Sequence, residues 1–255
     1  MSRPKVVVFN SASMDGRIAV SRDVLLLWGD ERWPSAGESE VLGWCMRLHQ
    51  PQATLEGSGS FVREGDQSAS LPPFEGDQAT LYSDYLPETV IHRAGHRGWF
   101  VVVDGRGRVR DWIKDGAVFG DEWAGWHLLV LVGQHTPPAY LAYLRREAIP
   151  YLVTGLGQVD LALALEKLGS RLGVGSILST AGGRLNGALL RAGLVDEVNL
   201  EYLPAIIGGL DTPSLFDSPA LGPDGSPVAL ELVSAHVQAD GRVWLRYRVA
   251  AGQPA

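Results

Sequence analysis

The stretch VGSILSTAGGRLNGALLRAGLVDEVNLEYLP, Val174–Pro204, decides how this chain is read. Gly175 to Leu178 is an apolar run of strand length that ends in Thr180-Ala181-Gly182-Gly183. A helix-like segment starts at once, Arg184 to Ala192, and stops at Gly193. A second apolar run, Val195 to Leu203, is closed by Pro204. A strand that turns through a glycine pair into a helix presents backbone N–H groups at the positive end of a dipole. Phosphate binds in such settings, and the missing side chains let a ligand approach the backbone. A bare strand-to-helix corner explains the same residues equally well, because Gly-Gly turns are common.

The same alternation runs outward from this stretch. Lys5–Phe9, Trp99–Val103, His127–Val132 and Tyr151–Val153 are apolar runs of strand length. Glu38–His49, Pro138–Glu147 and Asp160–Leu172 carry apolar residues at helical spacing, such as Leu161, Leu165 and Leu168. Thr54–Leu55 ends a short strand before the Gly57-Ser58-Gly59-Ser60 loop, and Val24–Trp28 is apolar but of ambiguous type. Ala229–Val237 and Val243–Val249 flank an Asp240-Gly241 pair, a strong hairpin signal. Continuous apolar strands alternating with helices predict a parallel sheet covered on both faces. The expected fold is therefore a three-layer α/β/α arrangement, its sheet mostly parallel and made mixed by the C-terminal antiparallel hairpin. Residues 64–98, rich in Gly, Pro, Ser and acids, read as an irregular excursion with no periodic core, expected to serve as a lid or substrate wall. The chain is expected to form a single domain over residues 1–255.

Bulk properties exclude several classes. Charged residues are 20% and hydrophobic residues 45% of the chain, which argues against disorder. A formal net charge of -7 disfavours a dedicated nucleic-acid binder, while still permitting a locally positive pocket for a small anion. One cysteine, Cys45 in GWCMRL, leaves no disulfide framework within the chain and reads as a buried small hydrophobe. No apolar run approaches the roughly 18 residues of a membrane helix, and the N-terminus lacks the apolar core of a signal peptide. A cytoplasmic protein is expected. The six histidines form no metal spacing, and no Walker loop or Gly-x-Ser-x-Gly elbow occurs.

Four blocks then carry a resemblance. Asn10–Ala19, NSASMDGRIA, is similar to the "N-x-A-x-S-L-D-G-K-I-A" opening of reductases with a dihydrofolate-reductase-like fold. Gly57–Glu64, GSGSFVRE, resembles "G-x-x-T-V-x-x-D", and Phe100–Gly105, FVVVDG, resembles "VVLDS". Thr180–Pro204 resembles "E-G-G-x-T-L-x-x-x-L-L-x-x-G-L-V-D-E-L-x-x-x-x-x-P", with GALLRAGLVDE intact. The blocks occur in the order found in the reductase domain of riboflavin-biosynthesis deaminase-reductases and its stand-alone relatives. The zinc motif of the deaminase half is missing, so no deaminase domain is expected.

The resemblance implies an NADPH-dependent reductase, a homodimer, that acts on a small phosphorylated ribosylaminopyrimidine. It places Gly182 and Gly183 at the cofactor diphosphate, with Arg184, Leu185 and Asn186 flanking it. Ser60 takes the place of a threonine near the cofactor, and Ala12 offers its backbone to the nicotinamide amide. Gly105 and Arg106 fall where relatives meet the adenosine 2′-phosphate, a charge that Arg106 would favour; the residues VVVDGRGRV also read as a hairpin turn. Arg17, Arg47, Glu64 and Thr180 fall on the substrate side. Arg47 would grip the substrate phosphate bidentately, and Glu64 would accept hydrogen bonds from an aminopyrimidine or ribose. Trp28 falls near a tryptophan that some relatives keep beside the cofactor, although core packing accounts for it too. Asp15-Gly16 reads as a structural turn.

One departure stands out. The family glutamate before the glycine pair is Thr180 here, which removes a charge from the substrate end of the site. Reduction of another substrate, a dihydropterin or a secondary-metabolite intermediate, therefore stays open. So does a nucleotide-binding relative without turnover.

Overall fold

A computed structural model describes residues 3–25, 27, 29–33, 39–63, 65, 66, 68–223 and 225–250. In chain order these residues form β1 (Lys5–Ser13), α1 (Glu40–His49), β2 (Ala53–Gly57), α2 (Glu88–Ile91), β3 (Gly98–Val103), β4 (Trp126–Val132), α3 (Pro138–Arg146), β5 (Tyr151–Val153), α4 (Leu161–Leu172), β6 (Ser176–Ser179), α5 (Gly183–Arg191), β7 (Glu197–Leu203), β8 (Leu230–Val237) and β9 (Val243–Val249). Short 3-10 turns occupy Ser58–Ser60, Gln78–Tyr82, Gly116–Phe119 and Asp121–Trp123. The chain divides into two compact units that interleave along the sequence. One takes in Met1–Pro4, Gln52–Ser58 and Gly65–Gly175, the other Lys5–Pro51, Gly59–Glu64 and Ser176–Ala255.

In the first unit β2, β3, β4 and β5 lie side by side in parallel, with β5 at the edge. β4 is buried along its whole length, as its near-continuous apolar sequence demands. α3 starts on Pro138, which fits the first helical turn, and buries Tyr140, Leu141 and Leu144. α4 is capped by the Asp160 carboxylate, which accepts from the Leu163 N–H, and ends on Gly173 at φ 67.

Within the excursion, residues 78–91 carry a 3-10 turn and the short helix α2, and the segment packs on β5. Tyr85 exchanges both backbone hydrogen bonds with Tyr151, each at 2.9 Å, so the segment closes the open edge of β5. Arg145 lies over the rings of Tyr85 and Tyr151 and donates to the Thr80 carbonyl at 2.7 Å and the Tyr151 hydroxyl at 2.8 Å. Asp84 accepts from Lys167 at 2.8 Å and from the Val153 N–H.

In the second unit the strand order is β6-β1-β7-β9-β8, with the first three parallel and the last two antiparallel. The sheet is thus mixed, with parallel strands and an antiparallel C-terminal pair. β1 runs four residues beyond its apolar portion. Asn10 to Ser13 stay in the ladder because β7 pairs with them through Leu203. One face of β1 packs Val7 and Phe9, with Leu178, against Val41, Leu42 and Cys45 of α1. The other face carries Asn10 toward the start of α5. α1 therefore covers one face of β1, and the residues leading into α5 lie toward the other.

Candidate active site at the glycine turn

β6 ends at Ser179 opposite Val8, β1 and β7 run on together to Ser13 and Leu203, and the carboxyl ends of parallel strands are where α/β sheets bind ligands. Thr180 and Ala181 leave β6, and Gly182 stands before α5 at φ -67 and ψ 167, an extended conformation open to any residue. No side chain caps this helix. The N–H groups of Leu185 and Asn186 both go to the Gly182 carbonyl at 3.1 Å. The start of an α-helix offers an anion backbone N–H groups and the positive end of its dipole. The Arg184 side chain is exposed, Leu185 is half-buried and Thr180 is half-buried at the head of the turn.

Asn186 does something other than flank a ligand with its side chain. It is fully buried, donates to the Ala181 carbonyl at 2.7 Å and accepts from the Ser179 hydroxyl at 2.7 Å. Gly183 is also fixed from within. A Cβ there would overlap the Ser214 carbonyl oxygen, and the Asp217 N–H donates to the Gly183 carbonyl at 3.0 Å. The second glycine thus accommodates the 214–217 segment. Asp217 brings a carboxylate to this helix end, where it accepts from the N–H and hydroxyl of Ser214.

The N-terminal block packs onto the same corner. Ala12 is fully buried on β1 opposite Tyr202. Gly16, at φ 75, allows the tight turn after β1. Asp15 accepts from the Ser13 hydroxyl at 2.6 Å and from the N–H groups of Ile207 and Gly208 at 3.1 and 2.7 Å. The Ser13 bond leads in holding its carboxyl down at about 2. Asp15-Gly16 is a structural turn, as its residue types imply. Arg17 pairs with Ser214 and donates from one terminal nitrogen to the Thr212 carbonyl at 2.8 Å. Its Nε is buried with no hydrogen-bond partner, 3.9 Å from an Asp15 oxygen. An orphaned guanidinium N–H beside this turn suits an anionic or carbonyl-bearing ligand.

Arg47 is not brought to this corner. It is exposed in the last turn of α1, where His49 contacts Lys5 and Glu197, the first residues of β1 and β7. A helix crossing back between parallel strands ends at their amino edge, the length of β1 away from the glycine turn. Ser60 is buried in the 3-10 turn that follows β2. Glu64 and Trp28 lie outside the described residues.

Gly105 and Arg106 belong to the first unit, in a turn directly after β3. Asp104 builds this turn. Its carboxylate accepts from the N–H groups of Arg108 and Val109 and from the Tyr140 hydroxyl at 2.8 Å. Burial, with that carboxylate beside it, pushes the Tyr140 hydroxyl far up. The Gly105 carbonyl accepts from Thr136, and Arg106 is exposed. The chain does not fold back as a hairpin, since β3 and β4 run parallel. Among the described residues, no group of three or more acidic, His or Cys side chains could hold a metal ion, and no helix is long and apolar enough to cross a membrane.

Sequence reasoning passed over Asn10, Ser179 and the 212–217 segment. Asn10 opens the N-terminal motif and was within reach. The other two carry no periodic or motif signal.

Parallel strands, an antiparallel C-terminal pair and a glycine turn at a strand's carboxyl end define a class by fold, the mixed α/β proteins of dihydrofolate-reductase-like architecture. The chain belongs to the RibD C-terminal domain family, whose profile matches residues 4–245. It is 29% identical over 234 residues to the 2,5-diamino-6-ribosylamino-4(3H)-pyrimidinone 5′-phosphate reductase of Methanothermobacter thermautotrophicus, covering 90% of this chain and 91% of that protein. The reductase of the same name from Archaeoglobus fulgidus is 34% identical over 117 residues, 46% of this chain and 50% of that one. A pyrimidine reductase-like protein from Corynebacterium diphtheriae has a similar fold at TM-score 0.65 and 17% identity, over 98% of this chain and 93% of that one. The riboflavin biosynthesis reductase of Saccharomyces cerevisiae superposes at TM-score 0.59 and 15% identity, over 97% and 90%. The chain is an oxidoreductase of this family.

Proposed function

We propose that this protein reduces 2,5-diamino-6-ribosylamino-4(3H)-pyrimidinone 5′-phosphate, or a close phosphoribosylaminopyrimidine, with NADPH. The observation that carries the reading is the helix start at Gly182-Gly183, which no side chain caps, within a family match that spans residues 4–245. NADPH bound there would supply the hydride. The protein supplies binding and order. The backbone of Gly182, Gly183 and Arg184 holds the diphosphate, with the Arg184 guanidinium adding charge. The Ala12 backbone meets the nicotinamide amide, and the Arg17 guanidinium meets the substrate. The resemblance assigns Ser60 to the cofactor, Gly105 and Arg106 to its 2′-phosphate, and Glu64 to the substrate. No protein nucleophile is required, and a proton can come from water.

Residues 1–255 act as one reductase domain in this reading, in the cytoplasm and as a homodimer. Support for self-association comes from β8, an edge strand that leaves Leu230, Leu232, Val233 and Val237 exposed. Thr180, standing where relatives carry glutamate, favours a second reading in which the electrophile is a different small heterocycle. Titration with NADPH followed by its substrate-dependent oxidation separates the readings. Binding and oxidation with the pyrimidinone phosphate support the first. Binding, with oxidation only by another heterocycle such as a dihydropterin, supports the second. Failure to bind NADPH removes both.

A further inference from the structure

Two buried amides converge on one carbonyl at the head of the glycine turn. Asn10 of β1 donates to the Ala181 oxygen at 3.0 Å, and Asn186 of α5 donates to the same oxygen at 2.7 Å. Asn10 is 5% exposed, and Ala181 and Asn186 are fully buried. A carbonyl oxygen has two lone pairs, and both are used. The Ser179 hydroxyl donates to Asn186 Oδ1 at 2.7 Å, which fixes the amide with its nitrogen toward Ala181. The 181–182 peptide is planar, and no cis bond occurs among the described residues. In a trans peptide the C=O and the following N–H point in opposite directions. Holding the Ala181 oxygen inward therefore turns the Gly182 N–H outward, at the start of α5. The next peptide is held too, because the Gly182 carbonyl accepts from Leu185 and Asn186.

We propose that Asn10 and Asn186 are positioning residues that lock the Ala181–Gly182 peptide, so that the Gly182 N–H is presented to the diphosphate of a bound dinucleotide. The proposal rests on the NADPH reading above. A bare corner has no use for this arrangement. The Gly182 backbone is unstrained, and asparagine is a mediocre helix former whose burial costs free energy unless every bond is made. The effort falls on the direction of one N–H, which matters only to a ligand oxygen that accepts from it.

The test compares wild type with Asn10→Ala and Asn186→Asp, the second keeping shape while replacing the nitrogen donor with an acceptor. NADPH affinity is measured by nucleotide fluorescence. Affinity for adenosine 2′-phosphate, which lacks both phosphates of the diphosphate, is measured alongside it. The Gly182 amide is followed by NMR during both titrations, and thermal unfolding verifies the fold. Each variant is expected to lose about tenfold in NADPH affinity, the weight of a hydrogen bond to a charged group. Affinity for adenosine 2′-phosphate stays unchanged, and the Gly182 amide of wild type shifts with NADPH only. Should Asn10→Ala fail to fold, Asn10→Ser carries the same comparison. Unchanged NADPH affinity in the variants overturns the proposal, as does equal loss of both ligands. If wild type binds NADPH with the Gly182 amide unmoved, the proposal falls and the reductase reading stands. If wild type binds no NADPH, the reductase reading falls first.

Discussion

Gly183 shows how a motif residue can be required for a reason other than the ligand it is associated with. Neither glycine of the pair adopts a positive φ, so conformational freedom is not what the turn needs. The requirement at 183 is space for the Ser214 carbonyl. Replacing glycine with alanine inside a helix gains up to about 1 kcal/mol from propensity, whereas forcing a methyl onto rigid backbone costs about 1–3 kcal/mol. Gly183→Ala is therefore expected to be destabilising by about 1–2 kcal/mol in chemical denaturation, with increased hydrogen exchange across 213–217. Asp15 offers a second prediction at this scale. Its carboxyl is held at about 2 against an ordinary value near 4. Its anchoring of Ile207 and Gly208 is complete above the ordinary value and fades as pH falls toward 2. Protection of these two amides, measured against their intrinsic exchange rates, should fall over that window, and Asp15→Asn should remove that pH dependence. The glycine pair and the Asp15 turn were legible as sequence. The Ser214 contact was not, because it joins residues about thirty positions apart in a segment without periodicity.

Among the elements, those with local signals were legible and those held by distant partners were not. α4 announces itself through Asp160, its apolar spacing and Gly173. The C-terminal hairpin announces itself through Asp240-Gly241. The 64–98 excursion has only composition to offer, and composition cannot show that Tyr85 will pair with β5 or that Arg145 will reach back to Thr80. Arg145→Ala should release the 78–91 segment, seen as faster hydrogen exchange there and at the β5 edge. NADPH affinity should be unchanged, because the segment covers a sheet edge. Coupled loss of cofactor binding would restore a lid role. Arg47 fails for a related reason: sequence spacing places it on a helix, but only the direction of the crossover shows which end of the strands it reaches.

Among the described residues of the second unit, a buried charge cluster forms around Glu197 at the first residues of β1 and β7, away from the glycine turn. Burial alone would raise the Glu197 carboxyl. Hydrogen bonds from His49, Arg246, Asn199 and Lys5 outweigh that and hold it far below the usual range. A depressed carboxylate stabilises fully above its unfolded value near 4.3 and loses that contribution as pH falls below it. Acid unfolding should therefore set in below about pH 4. Glu197→Gln, which strands the surrounding cations, should cost about 3 kcal/mol at neutral pH. The histidine pair acts in the other unit. His96 and His127 Nδ1 atoms lie 2.8 Å apart, and burial lowers both. A lowered histidine loses stability as pH falls through its unfolded value near 6.5. His96→Gln should flatten the pH dependence of unfolding just below that point.

Reductase activity at the glycine turn is read from the absorbance of reduced nicotinamide. Purified protein is mixed with NADPH and 2,5-diamino-6-ribosylamino-4(3H)-pyrimidinone 5′-phosphate. Stoichiometric loss of NADPH with formation of the ribityl product is expected if the protein is this reductase. Tight NADPH binding with no oxidation by this or any related heterocycle would contradict it.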